Sequence, residues 1–404
     1  MNRRTFLASL GAAGLGHALL AQGGGTSAAP GETAEPLGAF APYLQFTGAE
    51  RCDVRWRTTR PATGTVRWRQ GDGPWQTAMA ERDGLIQANR CEHCVPIEGI
   101  DPTRPLSIEV ASAPCLTFEP YKIRLGAEEI QGRAELKPRL AGDRLSLVIF
   151  NDLHGQTHLI PKLLDQPDVA ALAPTIALFN GDCADDCQDV RGLDRRFLSA
   201  LPPLCARGLT PLVLRGNHEY RGVMARRLRK HLSPLASGRY YGAFTLGPVR
   251  FLCLDTGEDK PDSHPVYGGL LATDAYLAAE AAWLKRELAS EAWRAARWRV
   301  AIGHIPPFSH NPKDDAWYGP TRLRREIAPL LANAGLTAMI CGHNHAYAFH
   351  GACDEHPYPI LVGGGPSEGS ATATVLTASP NALDLRAYTL HGPCPETIYG
   401  RFTS

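Results

Sequence analysis

Five apolar runs in this chain each end in a compact group of Gly, Asp, Asn and His, and this repetition limits the possible folds more than any other feature. Residues 145–150 (Leu-Ser-Leu-Val-Ile-Phe) lead into Asn151-Asp152-Leu153-His154-Gly155, and residues 175–180 into Gly181-Asp182-Cys183-Ala184-Asp185. Residues 212–215 precede Gly216-Asn217-His218-Glu219, residues 299–302 precede Gly303-His304-Ile305-Pro306-Pro307, and residues 337–340 precede Gly342-His343-Asn344-His345. Each run reads as a buried strand. Helical stretches separate them, around 159–165, 193–206 and 224–231, with a long amphipathic helix over 274–290 that spaces Tyr276, Ala279, Trp283, Leu284 and Leu288 helically. Alternating strands and helices predict an α/β (α+β) domain, with parallel strands and helices on both outer faces. In such sheets ligands bind at the carboxyl ends of the strands, where all five groups fall. The glycines allow sharp turns and close backbone approach there.

The segment before this domain follows a different pattern. From 42 to 126 apolar and polar residues alternate, as in Val54-Arg55-Trp56-Arg57-Thr58 and Thr65-Val66-Arg67-Trp68-Arg69, with Pro61-Ala62-Thr63-Gly64 as the turn between them. Cys94–Ile97 (Cys-Val-Pro-Ile) and the run at 106–110 continue the pattern. Short strands at about ten-residue spacing predict a small β-sandwich. Strands are again expected from 359 to about 390. The resulting division is a leader at 1–29, a sandwich at 38–128, the α/β domain at 140–392 and a tail at 393–404.

Lys plus Arg number 42 and Asp plus Glu 41, so no charge excess argues for wrapping nucleic acid. No basic, aromatic-interleaved track argues for a single-stranded one either. Arg3-Arg4-Thr5-Phe6-Leu7, a mild apolar stretch over 8–21 and a small-residue zone ending at Ala28-Ala29-Pro30 resemble a twin-arginine export signal. The apolar stretch is too short and Gly-rich to span a membrane. A periplasmic or secreted protein without stable membrane insertion is therefore expected, with the twin-arginine machinery as its export partner. The chain has 11 cysteines, so an oxidising compartment would leave at least one unpaired. Cys91-Glu92-His93-Cys94 lacks the second pair that a zinc knuckle needs and reads as a local disulfide or as buried thiols.

Asp152, His154, Asp182, Asn217, His304, His343 and His345 supply seven oxygen and nitrogen donors. Mixed carboxylate and imidazole sets suit Zn, Fe or Mn better than Ca or Mg. Seven donors with one bridging carboxylate would serve two ions about 3.5–4 Å apart.

The ordered set D-x-H, GDxxD, GNHE, GH and GHxH, over roughly 145–350, resembles the calcineurin-like metallophosphoesterase superfamily. The preceding strand module resembles the fibronectin-III-like sandwich of purple acid phosphatases. The resemblance implies that Asp152, His154, Asp182 and His345 hold one metal, and that Asp182, Asn217, His304 and His343 hold the other, Asp182 bridging. It implies in-line attack on phosphorus by a metal-bridging hydroxide. His218 would be the acid at the leaving oxygen, and Asp185 would orient His218. The purple enzymes need a tyrosinate where this chain has Asp185, so their chromophore is not expected. Periplasmic 5′-nucleotidases share the Asn-Asp-x-His-Gly opening, but their substrate domain follows the metal domain, and only about 50 residues follow His350 here.

Hydrolysis of a small-molecule phosphate ester is the function expected, a monoester in preference to a phosphodiester or nucleotide. An inactive binding protein is the reading from another class; such proteins usually lose a ligand, and none of the seven is missing. Substrate contacts are expected from loops over the site. Tyr220, just after the third motif, and His310, in the segment 308–320 with Asp314, Asp315, Trp317 and Tyr318, are the candidates. His158, His231 and His350 have no motif context and read as structural.

Overall fold

The computed structural model describes residues 36–185 and 187–401. The twin-arginine expectation falls on residues 1–29, outside them. Among the described residues no helix is long and apolar enough to cross a membrane.

The alternating segment forms two antiparallel sheets. One joins Gly38–Gly48, Arg51–Ala62 and Arg90–Glu98; the other joins Glu129–Leu136, Leu106–Ser112, Thr65–Gln70 and Gln76–Met79. Val54, Trp56, Val95 and Ile97 from the first meet Val66, Trp68, Ile108 and Val110 from the second. Trp56 Nε1 donates to Ser112 Oγ at 2.9 Å across that core. The module is packed onto the rest of the chain: Arg55 Nε donates to Ser233 Oγ and Tyr43 Oη to the His231 carbonyl, each at 2.7 Å, and Arg57 pairs with Asp194 at 2.6 Å.

The larger part has the expected sheets flanked by helices, though not all of its strands are parallel. It holds two mixed sheets face to face. The first runs Thr210–Leu214, Ile176–Asn180, Arg144–Phe150, Ala373–Ala378, Ala382–Thr389 and Gly392–Arg401. The second runs Gly242–Leu246, Val249–Leu254, Trp298–Gly303, Ala338–Cys341, Ile360–Val362 and Ala348–His350. Only the first three strands of one and the middle four of the other are parallel; antiparallel strands complete both. Leu145, Leu147 and Ile149 face the inter-sheet core with Phe251, Val300, Ile302 and Ile340, whereas Val148 and Phe150 face the outer helices. Strands buried on both faces read as unbroken apolar runs, so their sequence does not reveal whether they lie in one sheet or two.

Helices cover the outer faces as expected, including Thr273–Leu288 for the long one. The helix expected at 224–231 is instead a 3₁₀ stretch, Val223–Lys230. Residues 393–401, expected as a tail, belong to a strand with Leu385 opposite Ile398 and Leu383 opposite Gly400.

Candidate metal centre

All five motifs lie just beyond the strands that precede them, on one edge of the two sheets. Asp152 and His154 follow Arg144–Phe150, Asp182 follows Ile176–Asn180, and Asn217 and His218 follow Thr210–Leu214. His304 follows Trp298–Gly303 in the other sheet, and His343 and His345 follow Ala338–Cys341. The turns are tight. Asp152, His154, Asp182, His343 and His345 all have left-handed backbones, with φ of 51°, 44°, 49°, 74° and 56°. Side chains rarely adopt that region, and each instance costs roughly 1–3 kcal/mol. Two glycines allow the close approach. A Cβ on Gly216 would lie 2.3 Å from Asp182 Oδ1, and one on Gly342 would lie 2.5 Å from Asp152 Oδ2.

The seven expected donors converge. Asp152, His154 and His345 offer ligand atoms within 4.8 Å of one another, and so do Asp182, His304 and His343. Asp182 Oδ2 lies 3.1 Å from His304 Nε2 and 3.7 Å from His154 Nε2, between the two groups. The Nε2 atoms of His154 and His345 are 2.9 Å apart. The Asn217 oxygen faces His343 Nδ1 at 3.0 Å, His304 Nε2 at 3.2 Å and Asp182 Oδ2 at 3.3 Å. Turned over, the amide would donate to those atoms and accept from Arg221; with a cation among them, the oxygen is the atom that belongs there. Asp152 Oδ1 and His343 Nε2 are buried without hydrogen-bond partners. Buried polar atoms without partners are costly, and divalent cations in both groups would satisfy this donor set.

Neighbouring groups set the ligands' orientation and charge. His304 Nδ1 donates to the Asn180 carbonyl at 2.8 Å, which presents Nε2 to Asp182. Asn151 Nδ2 and the His343 amide donate to Asp152 Oδ2 at 2.6 and 2.7 Å. Burial opposes ionisation of Asp152, but the nearby imidazoles of His304, His154 and His345 and the hydrogen bond from Asn151 outweigh it and hold the carboxyl far below its usual range. Burial would likewise lower His154 and His304; the carboxylates of Asp152 and Asp182 instead raise them to about 9 and about 10, Asp185 contributing at His154. Burial, with His304 beside it, lowers His343 to about 4. The field of the two carboxylates thus calls for positive charge, which metal ions would supply while displacing protons.

Three residues differ from expectation. Asp185 does not form the expected hydrogen bond to His218: its Oδ1 accepts from His154 Nδ1 at 2.7 Å and lies 3.9 Å from His218 Nδ1, while its other oxygen pairs with Arg196. The imidazole of His154 is simply the nearer and better aligned. The Tyr220 hydroxyl is turned inward, donating to Asp255 at 2.8 Å and accepting from Arg215 at 2.9 Å, although the residue lines the adjoining cavity. His310 sits instead among His350 and His356.

His218 stays at the centre. Its amide donates to Asp182 Oδ1 at 2.9 Å, its ring meets His154 edge-on at 4.8 Å, and its Nε2 accepts from Arg221 Nη1 at 2.9 Å. Glu219 closes the third motif. Its buried carboxylate accepts the amides of Asp182, Cys183 and Gly216 at 2.9, 2.9 and 2.7 Å, tying two ligand loops together. Arg221, also paired with Glu258 and Asp259, lines an open cavity of about 690 Å³ with Tyr220, Arg226, Lys260 and Tyr267. Trp317, half-exposed, meets the His343 ring at 5.7 Å. Among the described residues no disulfide is formed, Cys91 with Cys94 and Cys183 with Cys187 included.

Solved structures share this architecture. The purple acid phosphatase PPD1 from yellow lupin (Lupinus luteus) seeds aligns with a TM-score of 0.63 at 14% identity, over 90% of this chain and 75% of its own. PhoD aligns with a TM-score of 0.58 at 12% identity, over 92% of this chain and 90% of its own. No curated protein matches the chain. The sequence profile of the calcineurin-like phosphoesterases matches residues 145–347, half of the chain and the stretch that carries all seven candidate ligands. The chain therefore belongs to the calcineurin-like phosphoesterase family and is a metal-dependent phosphoesterase.

Proposed function

We propose that the protein hydrolyses phosphate monoesters at a two-metal centre, with Fe, Zn or Mn as the ions, and that it works in the periplasm or outside the cell. The convergence of Asp152, His154, Asp182, Asn217, His304, His343 and His345 around the shared Asp182 carboxylate carries this reading. Asp152, His154, Asp182 and His345 would hold one ion; Asp182, Asn217, His304 and His343 would hold the other. Bound there, the ions supply Lewis-acid polarisation of the phosphoryl oxygens and a hydroxide nucleophile at neutral pH.

The chain's own groups supply the rest. His218 stands beside Asp182 and, once its Nε2 takes up a proton from water in place of the Arg221 contact, delivers that proton to the leaving oxygen. Arg221, fixed by Glu258 and Asp259, holds the His218 ring through Nε2. The neighbouring cavity, with Arg226 and Lys260 on its wall, is of a size for a small anionic ester. The phosphatase likeness favours monoesters, and the paired arginines at Arg3 and Arg4 support export.

The test compares turnover of aryl and bis-aryl phosphates by protein of measured metal content, beside Asp182→Asn and His218→Ala. The mono-aryl ester is expected to be the faster, and each substitution to lower kcat by at least about 100-fold. Near-normal kcat in either variant would overturn the mechanism, and a faster bis-aryl ester would reassign the enzyme as a diesterase.

A further inference from the structure

A second group of ligand-type side chains lies outside the centre and shares no residue with it. His310 belongs to the loop after Trp298–Gly303, and Cys353 and His356 to the loop after Ala348–His350. Their ligand atoms lie within 4.8 Å of one another. The Nε2 atoms of His310 and His356 are 2.8 Å apart. His356 is fully buried, and its Nδ1 donates to the Tyr358 carbonyl at 2.9 Å, which leaves Nε2 with a free lone pair unless the ring is charged. His310 adopts a left-handed backbone, φ 53°, and its ring lies 4.7 Å from that of His350. His350 Nε2 is buried without a hydrogen-bond partner. Burial, with the His310 and His356 rings nearby, keeps His350 below its ordinary pKa and so neutral.

We propose that His310, His356 and Cys353 bind one zinc-type divalent ion, a third metal site, with His350 beside its open position. Imidazole and thiolate together select zinc over hard cations, and structural zinc is tetrahedral. Zn–N near 2.1 Å and Zn–S near 2.3 Å place tetrahedral donors roughly 3.3–3.6 Å apart. The present spacings reach that range by shifts of about an ångström in His310 and Cys353, both exposed at the surface. Binding releases the Cys353 thiol proton to solvent, leaving thiolate on the ion.

The site's position suggests what it does. One of its loops leads to Trp317, whose ring lies against the ligand His343. The other follows the segment that delivers His343 and His345. An ion held between them would clamp the rim of the dinuclear centre without contacting substrate. This inference does not depend on which ester is hydrolysed.

The experiment loads the metal-free full-length chain with Co²⁺ alone. The dinuclear centre has no sulfur ligand, so a thiolate-to-cobalt charge-transfer band reports the third site by itself. The expected result is that band in the unaltered protein, its loss in Cys353→Ser, and one fewer cobalt per chain in both Cys353→Ser and His310→Ala, with the far-ultraviolet circular dichroism unchanged. No band, a band that survives Cys353→Ser, or equal cobalt in the variants would overturn the proposal. Loss of aryl phosphatase activity with the band intact would count against the proposed function and leave this site standing.

Discussion

Replacing Asp185 by Asn separates two roles for one carboxylate. Asp185 Oδ1 accepts from His154 Nδ1 at 2.7 Å and stands 3.9 Å from His218 Nδ1. If the shorter contact matters, Asp185 is an outer partner of a metal ligand, holding the His154 tautomer that points Nε2 at the ion. Such partners are worth roughly 10–100-fold in metal affinity, about 1.4–2.7 kcal/mol. The carboxylate is 38% exposed and shared with Arg196, so water competes for it and the lower end applies. Asn keeps an accepting oxygen but loses the charge. Calorimetric titration of metal-free protein should therefore show one of the two ions bound about tenfold more weakly in Asp185→Asn. At saturating metal, kcat should stay within a few-fold of its starting value. Unchanged metal affinity combined with a fall in kcat at saturating metal would refute this reasoning and return Asp185 to a dyad with His218.

Gly216→Ala drives a Cβ to 2.3 Å from Asp182 Oδ1 and 2.7 Å from its amide nitrogen, so the bridging loop must move; kcat/KM should fall at least about 100-fold with the circular dichroism preserved, and activity within a few-fold would show that Asp182 need not be fixed. Glu219→Gln leaves an NH₂ facing one of three amide donors, and urea denaturation should read a loss of about 1–3 kcal/mol; no loss would mean that the clamp is dispensable. Burial, with Arg90 nearby, lowers His93 to about 4, so the folded protein keeps it neutral while the unfolded chain takes up a proton below about 6.5. The stability from His93 is thus complete above about pH 6.5 and is lost as pH falls toward 4. His93→Phe, which can still stack on Trp56, should flatten urea-measured stability across that window, and an identical slope would exclude His93.

The site was far more legible than the frame around it. Apolar runs ending in glycine and ligand-type residues mark strand ends directly, because both the strand's burial and the turn's tightness are written in residue type. Glu219 and Asp185 were harder. Glu219 works on backbone amides, which leave no sequence signal, and Asp185 chooses between two imidazoles by side-chain geometry alone. The strand Gly392–Arg401 carries Pro393 and Pro395, which argue against a strand unless it is at an edge, where this one lies. His310 and His356 are far apart in sequence and meet only because two loops on the same sheet do.

The ligands come from both halves of a sandwich. Asp152, His154, Asp182 and Asn217 stand on one sheet; His304, His343 and His345 stand on the other. Ions bound there would act as a rivet through the stack, and the centre would work as a gauge of the spacing between the sheets. A misplacement of about 1 Å can cost on the order of 100-fold in rate. Trimming Ile149 or Ile302, which are fully buried in the core between the sheets, should consequently register as lost turnover before it registers as lost fold.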